Sequence, residues 1–370
     1  MEAASPDANT GASQREFPCS SCGAKLHFAP GSDALTCPYC GAHQQIATPS
    51  QPVVERSFEQ ALRELARRPA STLAQGGHEI QCKGCGAITL LSGHASSCPF
   101  CDSPLVVPVE EDRETIVPQS VLPFKIDQRE AGQKFKEWVT SRWFAPNDLA
   151  ARAQRASIDG VYLPYYTYDA RTESDYVGQR GEYYYETEHY KDSQGNSQTR
   201  QVRKTRWYPA AGHVRVDFDD VLVCASKSLP MPLVDALEPW DLAELRSFDP
   251  AFLSGFMAER AALDLREGFE VAKHKMQPEI EAEIRRDIGG DDQRILSHSD
   301  SHHDVTFKLF LLPMWLSSFR YDDKVFRFVV NARTGEVSGE RPWSAIKIAI
   351  AVILALIVII GIVLLVQANQ

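Results

Sequence analysis

Eight of the nine cysteines stand in C-x-x-C pairs, and the pairs fall into two sets: Cys19 and Cys22 with Cys37 and Cys40, then Cys82 and Cys85 with Cys98 and Cys101. Fourteen residues separate the pairs of the first set and twelve those of the second. Two thiols at that spacing form one tight knuckle, and a loop of roughly that length brings a second knuckle round to complete a tetrahedron of sulfurs about 2.3 Å from a Zn²⁺ ion. The chemistry is that of two structural zinc sites, since four protein ligands leave no position for water or substrate. Gly23, Gly41 and Gly86 follow second cysteines, where a tight turn favours positive φ, and Pro38 and Pro99 stiffen the later knuckles. A thioredoxin-like redox pair is the competing reading of one C-x-x-C, but four pairs at ribbon spacing argue against it.

Other chemistry is sparse. There is no G-x-x-x-x-G-K-[ST] to cradle a nucleotide phosphate, and neither G-x-S-x-G nor H-E-x-x-H occurs. The run Ser297 to Asp304 (SHSDSHHD) gathers His298, Asp300, His302, His303 and Asp304, donors that suit a transition metal. A polar loop between a helix and a strand is the commoner origin of such a run, so these residues are not assigned as ligands, and no catalytic or cofactor-binding residue is expected. Zinc ribbons often bind nucleic acid, which draws on a basic surface. Here Arg15, Lys25, Arg56, Arg63, Arg67, Arg68 and Lys83 are matched one for one by Glu16, Asp33, Glu55, Glu59, Glu64, Glu79 and Asp102. Each four-thiolate zinc adds about two further negative charges. Nucleic acid is therefore not an expected partner, and the basic cluster Arg200, Arg203, Lys204 and Arg206 reads first as a solvated strand face and second as a site for membrane phosphates.

The far end carries a different signal. Ile346 to Val366 is apolar apart from Lys347 near its start, and as a helix it rises about 30 Å, the thickness of the hydrocarbon core. A buried core helix of that length would keep a polar face. Trp343 suits the interface, Arg341 and Lys347 place positive charge on the N-terminal side, and Lys347 can reach back to the headgroups. The first sixteen residues hold no apolar stretch that could act as a signal peptide. The expectation is a single-pass, tail-anchored chain with its bulk in the cytoplasm, where paired cysteines hold zinc in preference to disulfides.

The elements between must position these ends. At 370 residues, 44% apolar and a net charge of −10, the chain has material for two small modules and one or two ordinary domains. Residues 1–16 read as disordered, 17–46 as the first ribbon, 47–79 as a helical spacer built on Ser57 to Arg68, and 80–108 as the second ribbon. The spacer is expected to let the ribbons reach away from the body. Residues 115–343 read as an α+β body with an antiparallel sheet, 346–366 as the transmembrane helix and 367–370 as a tail. Within the body, Phe124 to Ile126 suggests a strand and Ala131 to Trp143 a helix. Gly160 to Tyr185 suggests strands, Lys191 to Gln201 a long hairpin loop, and Trp207 to Val216 and Asp220 to Cys224 further strands. Pro250 to Asp287 reads as a long helical stretch that Pro278 kinks or divides, and Thr306 to Leu312, Met314 to Tyr321 and Lys324 to Asn331 as strands, with a tight turn at Asn331 to Glu336. Cys224 reads as a buried packing residue. Val161 to Asp169 and Leu311 to Asp322 share a Leu-Pro-x-aromatic core, which suggests a duplicated helix-plus-sheet unit.

Two N-terminal ribbons, then Gly160 to Asp169, Phe218 to Val223, Asp287 to Asp291, Leu311 to Trp315 and one C-terminal span, resemble a bacterial family of double-zinc-ribbon membrane proteins across nearly the whole chain. Proteins similar to it are often labelled primosomal or replication-restart helicases, a label this sequence does not support because it has no helicase nucleotide site. The resemblance implies an association with phage-shock-like and flotillin-like membrane stress proteins. Phe326 to Val337 also resembles the last hairpin of PepSY-type modules. Together these readings point to a non-enzymatic scaffold that recruits protein partners to the bilayer, against two alternatives: a nucleic-acid-binding ribbon protein, or a membrane-tethered metal-dependent enzyme using the Ser297 to Asp304 run.

Overall fold

The computed structural model describes residues 17–46, 53–67, 78–82, 85, 87–91, 98, 100–101, 107–108, 116–149, 157–191, 195–322 and 324–368. The expectations for residues 1–16, for much of 47–79, and for Gly86 and Pro99 lie outside them. Among the described residues the fold is α+β, with two sheets, five α-helices (the shortest, α3, is Met231–Asp235), two N-terminal four-cysteine clusters and one apolar C-terminal helix; β4 (Arg56–Ser57) and β11 (Arg246–Ser247) are two-residue strands of the larger sheet.

Three long strands form the spine: β9 (Asp159–Lys191) lies between β10 (Ser197–Cys224) and β13 (Asp292–Tyr321), antiparallel to both. The sequence of β9 sets what covers each part of it. Val161 to Tyr168 is an apolar and aromatic run interrupted by Thr167 and is buried throughout, because both faces of the sheet are covered there. From Asp169 to Gly178 buried and more exposed positions alternate, as expected of a strand with one covered face. Beyond Gly181, where β13 ends its pairing, β9 and β10 continue as a two-stranded arm among the described residues. The expected loop from Lys191 to Gln201 is correspondingly shorter, with β10 already formed at Ser197.

The covering helix is α4 (Leu265–Ile288), capped by a reciprocal pair in which the Asp264 carboxylate accepts from the Glu267 N–H and the Glu267 carboxylate accepts from the Asp264 N–H. Its buried stripe is Leu265, Phe269, Ala272, Met276, Ile280, Ile284 and Ile288. The helix is shorter than the expected 250–287 stretch and Pro278 does not divide it. Residues 250–253 form a 3-10 turn and Met257–Glu259 is a strand, β12. Met276 and Ile280 flank the proline and are wholly buried, which offsets the roughly 3 kcal/mol cost of an interior proline. A Cβ at Gly268 would lie 2.4 Å from the Tyr168 hydroxyl, so only glycine lets that hydroxyl donate to the Leu265 carbonyl at 2.9 Å.

Further corrections concern β13. It runs unbroken through Pro313 and through the Ser297 to Asp304 run, which is strand and not loop. The Leu-Pro copies are antiparallel neighbours, with Leu312 opposite Leu163 and Pro313 opposite Tyr162. Phe124 to Ile126 is not a strand: the strand is β8 (Ser120–Val121), and Lys125 and Ile126 donate their N–H groups to the Ala332 carbonyl. The helix α2 covers Gln128–Thr140, starting and ending three residues before the expected Ala131 to Trp143, while β14 (Lys324–Asn331) turns through Asn331 to Glu336 into β15 (Val337–Gly339), as the sequence suggests.

Neither ribbon reaches away from the body. The first, with β1 (His27–Phe28), β2 (Ala34–Thr36) and β3 (His43–Gln45), docks through Phe28 onto Phe252 and Phe256 at centroid distances of 5.3 and 6.3 Å. Ser254 Oγ donates to the Leu26 carbonyl at 2.6 Å, and Ser254 in turn accepts the Phe28 N–H at 2.9 Å. The second ribbon has β5 (His78–Gln81), β6 (Ile88–Leu91) and β7 (Val107–Pro108), and it joins the main sheet: β6 pairs with β12, which lies parallel to β9. Between the ribbons, α1 (Phe58–Leu65) is no free spacer, since Phe58 packs 4.8 Å from the Phe269 ring. The joint of ribbon and body is an aromatic cluster in which Phe256 stacks on Phe124 at 4.1 Å and meets Trp315 edge-on at 5.9 Å. Phe256→Ala is expected to cost about 3–5 kcal/mol, seen as a lower denaturation midpoint at unchanged slope.

Candidate metal centres

The knuckles form where the local sequence expects them. In the first ribbon the Gly23 N–H donates to the Cys19 carbonyl at 2.8 Å and the Cys19 N–H to the Ala24 carbonyl at 2.7 Å. Gly41, Cys37 and Ala42 repeat the pattern at 3.0 and 2.8 Å. Gly23 and Gly41 have φ of 75° and 73°, a conformation that side chains disfavour. In the second ribbon the Cys82 N–H donates to the Ala87 carbonyl at 2.8 Å.

These turns bring all eight paired cysteines into two clusters, within each of which the sulfurs lie within 4.8 Å of one another. Cys19 lies 3.5 Å from Cys40 and Cys22 3.5 Å from Cys37; Cys82 lies 3.5 Å from Cys101 and Cys85 3.7 Å from Cys98. A tetrahedron with sulfurs about 2.3 Å from its centre has edges of about 3.8 Å, so each cluster fits one ion. None of the eight is in a disulfide.

In each cluster the surroundings favour thiolate at some sulfurs, Cys19, Cys37 and Cys85, and hold the proton on others, Cys22, Cys40 and Cys98. Backbone N–H groups of Ser21 and Cys22 hold the Cys19 thiol down to about 6, the Ser21 N–H lying 3.4 Å from Sγ. Hydrogen bonding from Cys98 brings Cys85 to about 5, and the same contact, with burial, pushes Cys98 far up. A divalent cation replaces the protons that these sulfurs otherwise share.

The clusters differ in access. Cys22 and Cys40 are exposed while Cys19 and Cys37 are buried; in the second cluster Cys82, Cys98 and Cys101 are buried and Cys85 is half-buried. Cys224 is also buried, in the body.

The histidine-rich run does not assemble a third centre among the described residues. Along β13, His298, Asp300 and His302 point beneath α4, where Asp300 accepts from Gln277 Nε2 at 2.7 Å and pairs with His298 Nδ1 at 2.9 Å. His302 sits edge-on to Phe269 at 5.6 Å, and Asp304 pairs with Arg171 at 2.8 Å. An acidic group of Glu55, Asp169 and Asp219 also comes together, but the Lys308 ammonium lies 3.2 Å from Glu55 and supplies its cation. The basic cluster of the arm is likewise partnered: Arg203 lies over Tyr183 at 4.2 Å, Arg206 over Tyr184 at 4.9 Å, Arg200 pairs with Glu188 at 3.0 Å, and Lys204 with Glu186.

One buried acid has no sequence signal. Glu259, opposite Thr89 of the second ribbon in the β12–β6 pair, is 3% exposed; Ser228 Oγ donates to its Oε1, and Oε2 has no partner among the described residues.

The C-terminal helix α5 (Ala345–Ala368) holds a stretch, Ala345–Gln367, long and apolar enough to cross a membrane, with none of it buried. Lys347 Nζ donates to the Ala145 carbonyl at 2.7 Å, so the body holds the lysine that sequence places at the headgroups.

Comparison with known proteins adds one distant relative. The chain is 26% identical over 346 residues to the Bacillus subtilis (strain 168) protein described as "Uncharacterized protein YdjG", covering 90% of this chain and 92% of that one. No family model and no solved structure matches.

Two outcomes are expected. With metal bound, a chelator removes the ion of the exposed first cluster rapidly and that of the embedded second roughly tenfold or more slowly, as read by stopped-flow release into a metallochromic dye. For Glu259, burial raises the folded pKa to about 7 from 4.5. An acid shifted upward is destabilising once it must ionise, so stability falls as pH rises from about 4.5 through about 7. Glu259→Gln should then leave Tm near that of the parent at pH 4.5 and raise it above the parent at pH 8; a difference independent of pH would contradict this.

Proposed function

We propose that this chain is a membrane-anchored zinc-ribbon adaptor, with two structural Zn²⁺ ions, that recruits protein partners to the cytoplasmic face of the bilayer, in membrane stress response. The observation that carries the reading is the pairing, in one chain, of two closed four-sulfur clusters with a bare apolar helix. Four-sulfur coordination suits zinc, and a site whose ligands all come from protein holds structure without binding substrate.

The geometry around those features supports contact over catalysis. Both ribbons are braced against the body, so bound metals would fix the shape of the ribbons and of the surface they present. The arm beyond Gly181 carries that surface outward, and Tyr185, Tyr190 and Tyr208 are exposed on or near it. Glu188 and Glu186 offset the charges of Arg200 and Lys204, so of the four basic residues Arg203 and Arg206, each lying over a tyrosine ring, keep a charge for nucleic-acid phosphate. Arg341 and Lys347 at the start of α5 favour a cytoplasmic body by the positive-inside rule. Anchoring raises the local concentration of anything the body holds, so recruitment needs no active site. Flotillin-like and phage-shock-like membrane proteins are the partners proposed.

The test is affinity capture from detergent-solubilised membranes with the full chain and with a version lacking residues 346–370. The adaptor reading expects membrane proteins of those classes with the full chain and their loss, by roughly tenfold or more, without the span. Equal recovery from both, or recovery of nucleic acid at physiological salt, would contradict it.

A further inference from the structure

Where α5 leaves the body, aromatic side chains from two segments far apart in sequence come together. Trp143 and Phe144 follow α2, with ring centroids 5.1 Å apart, and Phe144 lies 6.3 Å from Trp343, just ahead of α5. All six tryptophans of the chain are described, and these two alone are exposed: Trp143 by 67% and Trp343 by 60%, against 8% for Trp240 and 5% for Trp315. Two exposed indoles bridged by the Phe144 ring give a surface apolar area that nothing among the described residues covers.

The two segments are also tied together. The Ser344 N–H donates to the Phe144 carbonyl at 2.8 Å, and Lys347, in the first turn of α5, donates to the Ala145 carbonyl at 2.7 Å. Arg341 lies over the Trp343 ring at 4.4 Å. Wherever the start of α5 sits in a bilayer, residues 143–145 are held at the same depth. An indole with a neighbouring guanidinium or ammonium is the pairing that the headgroup layer accommodates best, the ring among glycerol and upper acyl groups and the cation at phosphate.

We infer that Trp143 and Phe144, together with Arg341, Trp343 and Lys347, form an interfacial collar that binds the headgroup layer of the membrane α5 crosses, so that the body is seated on the bilayer and does not swing on its tether. The collar rests on the reading of α5 as a membrane span. It differs from that reading in requiring a loop of the body, about 200 residues earlier in the chain, to touch lipid as well.

The experiment uses the full chain carrying 5-fluorotryptophan, in nanodiscs of phosphatidylcholine with a minority of phosphatidylglycerol, with and without a lipid bearing a headgroup nitroxide. Fluorine resonances are assigned from the signal lost in Trp143→Phe, Trp343→Phe and Trp240→Phe. The collar predicts that the Trp143 and Trp343 signals both lose most of their intensity to the nitroxide while Trp240 stays sharp. Broadening of Trp343 with Trp143 as sharp as Trp240 would overturn the collar and leave the span standing, as would be the case if a second copy or another protein covered Trp143. Sharp signals from both would overturn the span and the collar together.

Discussion

The backbone of β9 has donors and acceptors to satisfy on two edges along 33 residues, and the rest of the fold is arranged by how that is done. One edge goes to β13 from Asp159 to Gly181. The other is shared: β12 takes Val161 and Tyr162, and β10 takes Tyr165 onward. Because β12 also pairs with β6, this division brings the second four-cysteine cluster into the main sheet. Because β10 outruns β13, it also leaves the two-stranded arm. The difference in cysteine exposure between the two clusters and the reach of the arm both follow from the pairing of one strand.

The two four-cysteine clusters are joined to the body in different ways. The first ribbon has its own three-stranded sheet and meets the body through side chains, chiefly Phe28 against Phe252 and Phe256. The second shares backbone hydrogen bonds with β12, and Arg327 Nε donates to the Phe100 carbonyl at 2.7 Å beside its knuckle. Losing an ion from the first would loosen a docked module; losing one from the second would disturb the sheet itself. Glu259, buried beside the second cluster, is penalised once it ionises, so above about pH 7 it lowers the cost of opening there.

What could be read from sequence was what rests on local spacing. The eight paired cysteines, the apolar run at 346–366 and the turn from Asn331 to Glu336 each need only a short window, and each is found where the residues place it. The body's element lengths were less legible, because they follow from partners distant in the chain. Polar residues from Ser297 to Asp304 look like a loop until α4 is laid over His298, Asp300 and His302, when one face of a strand becomes a hydrogen-bonded layer and the other meets water. Met257 to Glu259 looks helical until it is seen to fill the gap between β6 and β9. Glu259 and Trp143 carry no periodic signal, and only the tertiary arrangement shows one acid buried and one indole exposed at the root of a membrane helix.

We propose that this protein acts through contact at a membrane, with two zinc ions each closed off by four sulfurs. Zinc X-ray absorption on the full chain extracted in mild detergent addresses that directly. Two zinc ions per chain, with a single shell of four sulfurs at about 2.3 Å and no lighter scatterer, is the predicted result. An oxygen or nitrogen ligand in the first shell, signifying an open coordination position, would contradict it.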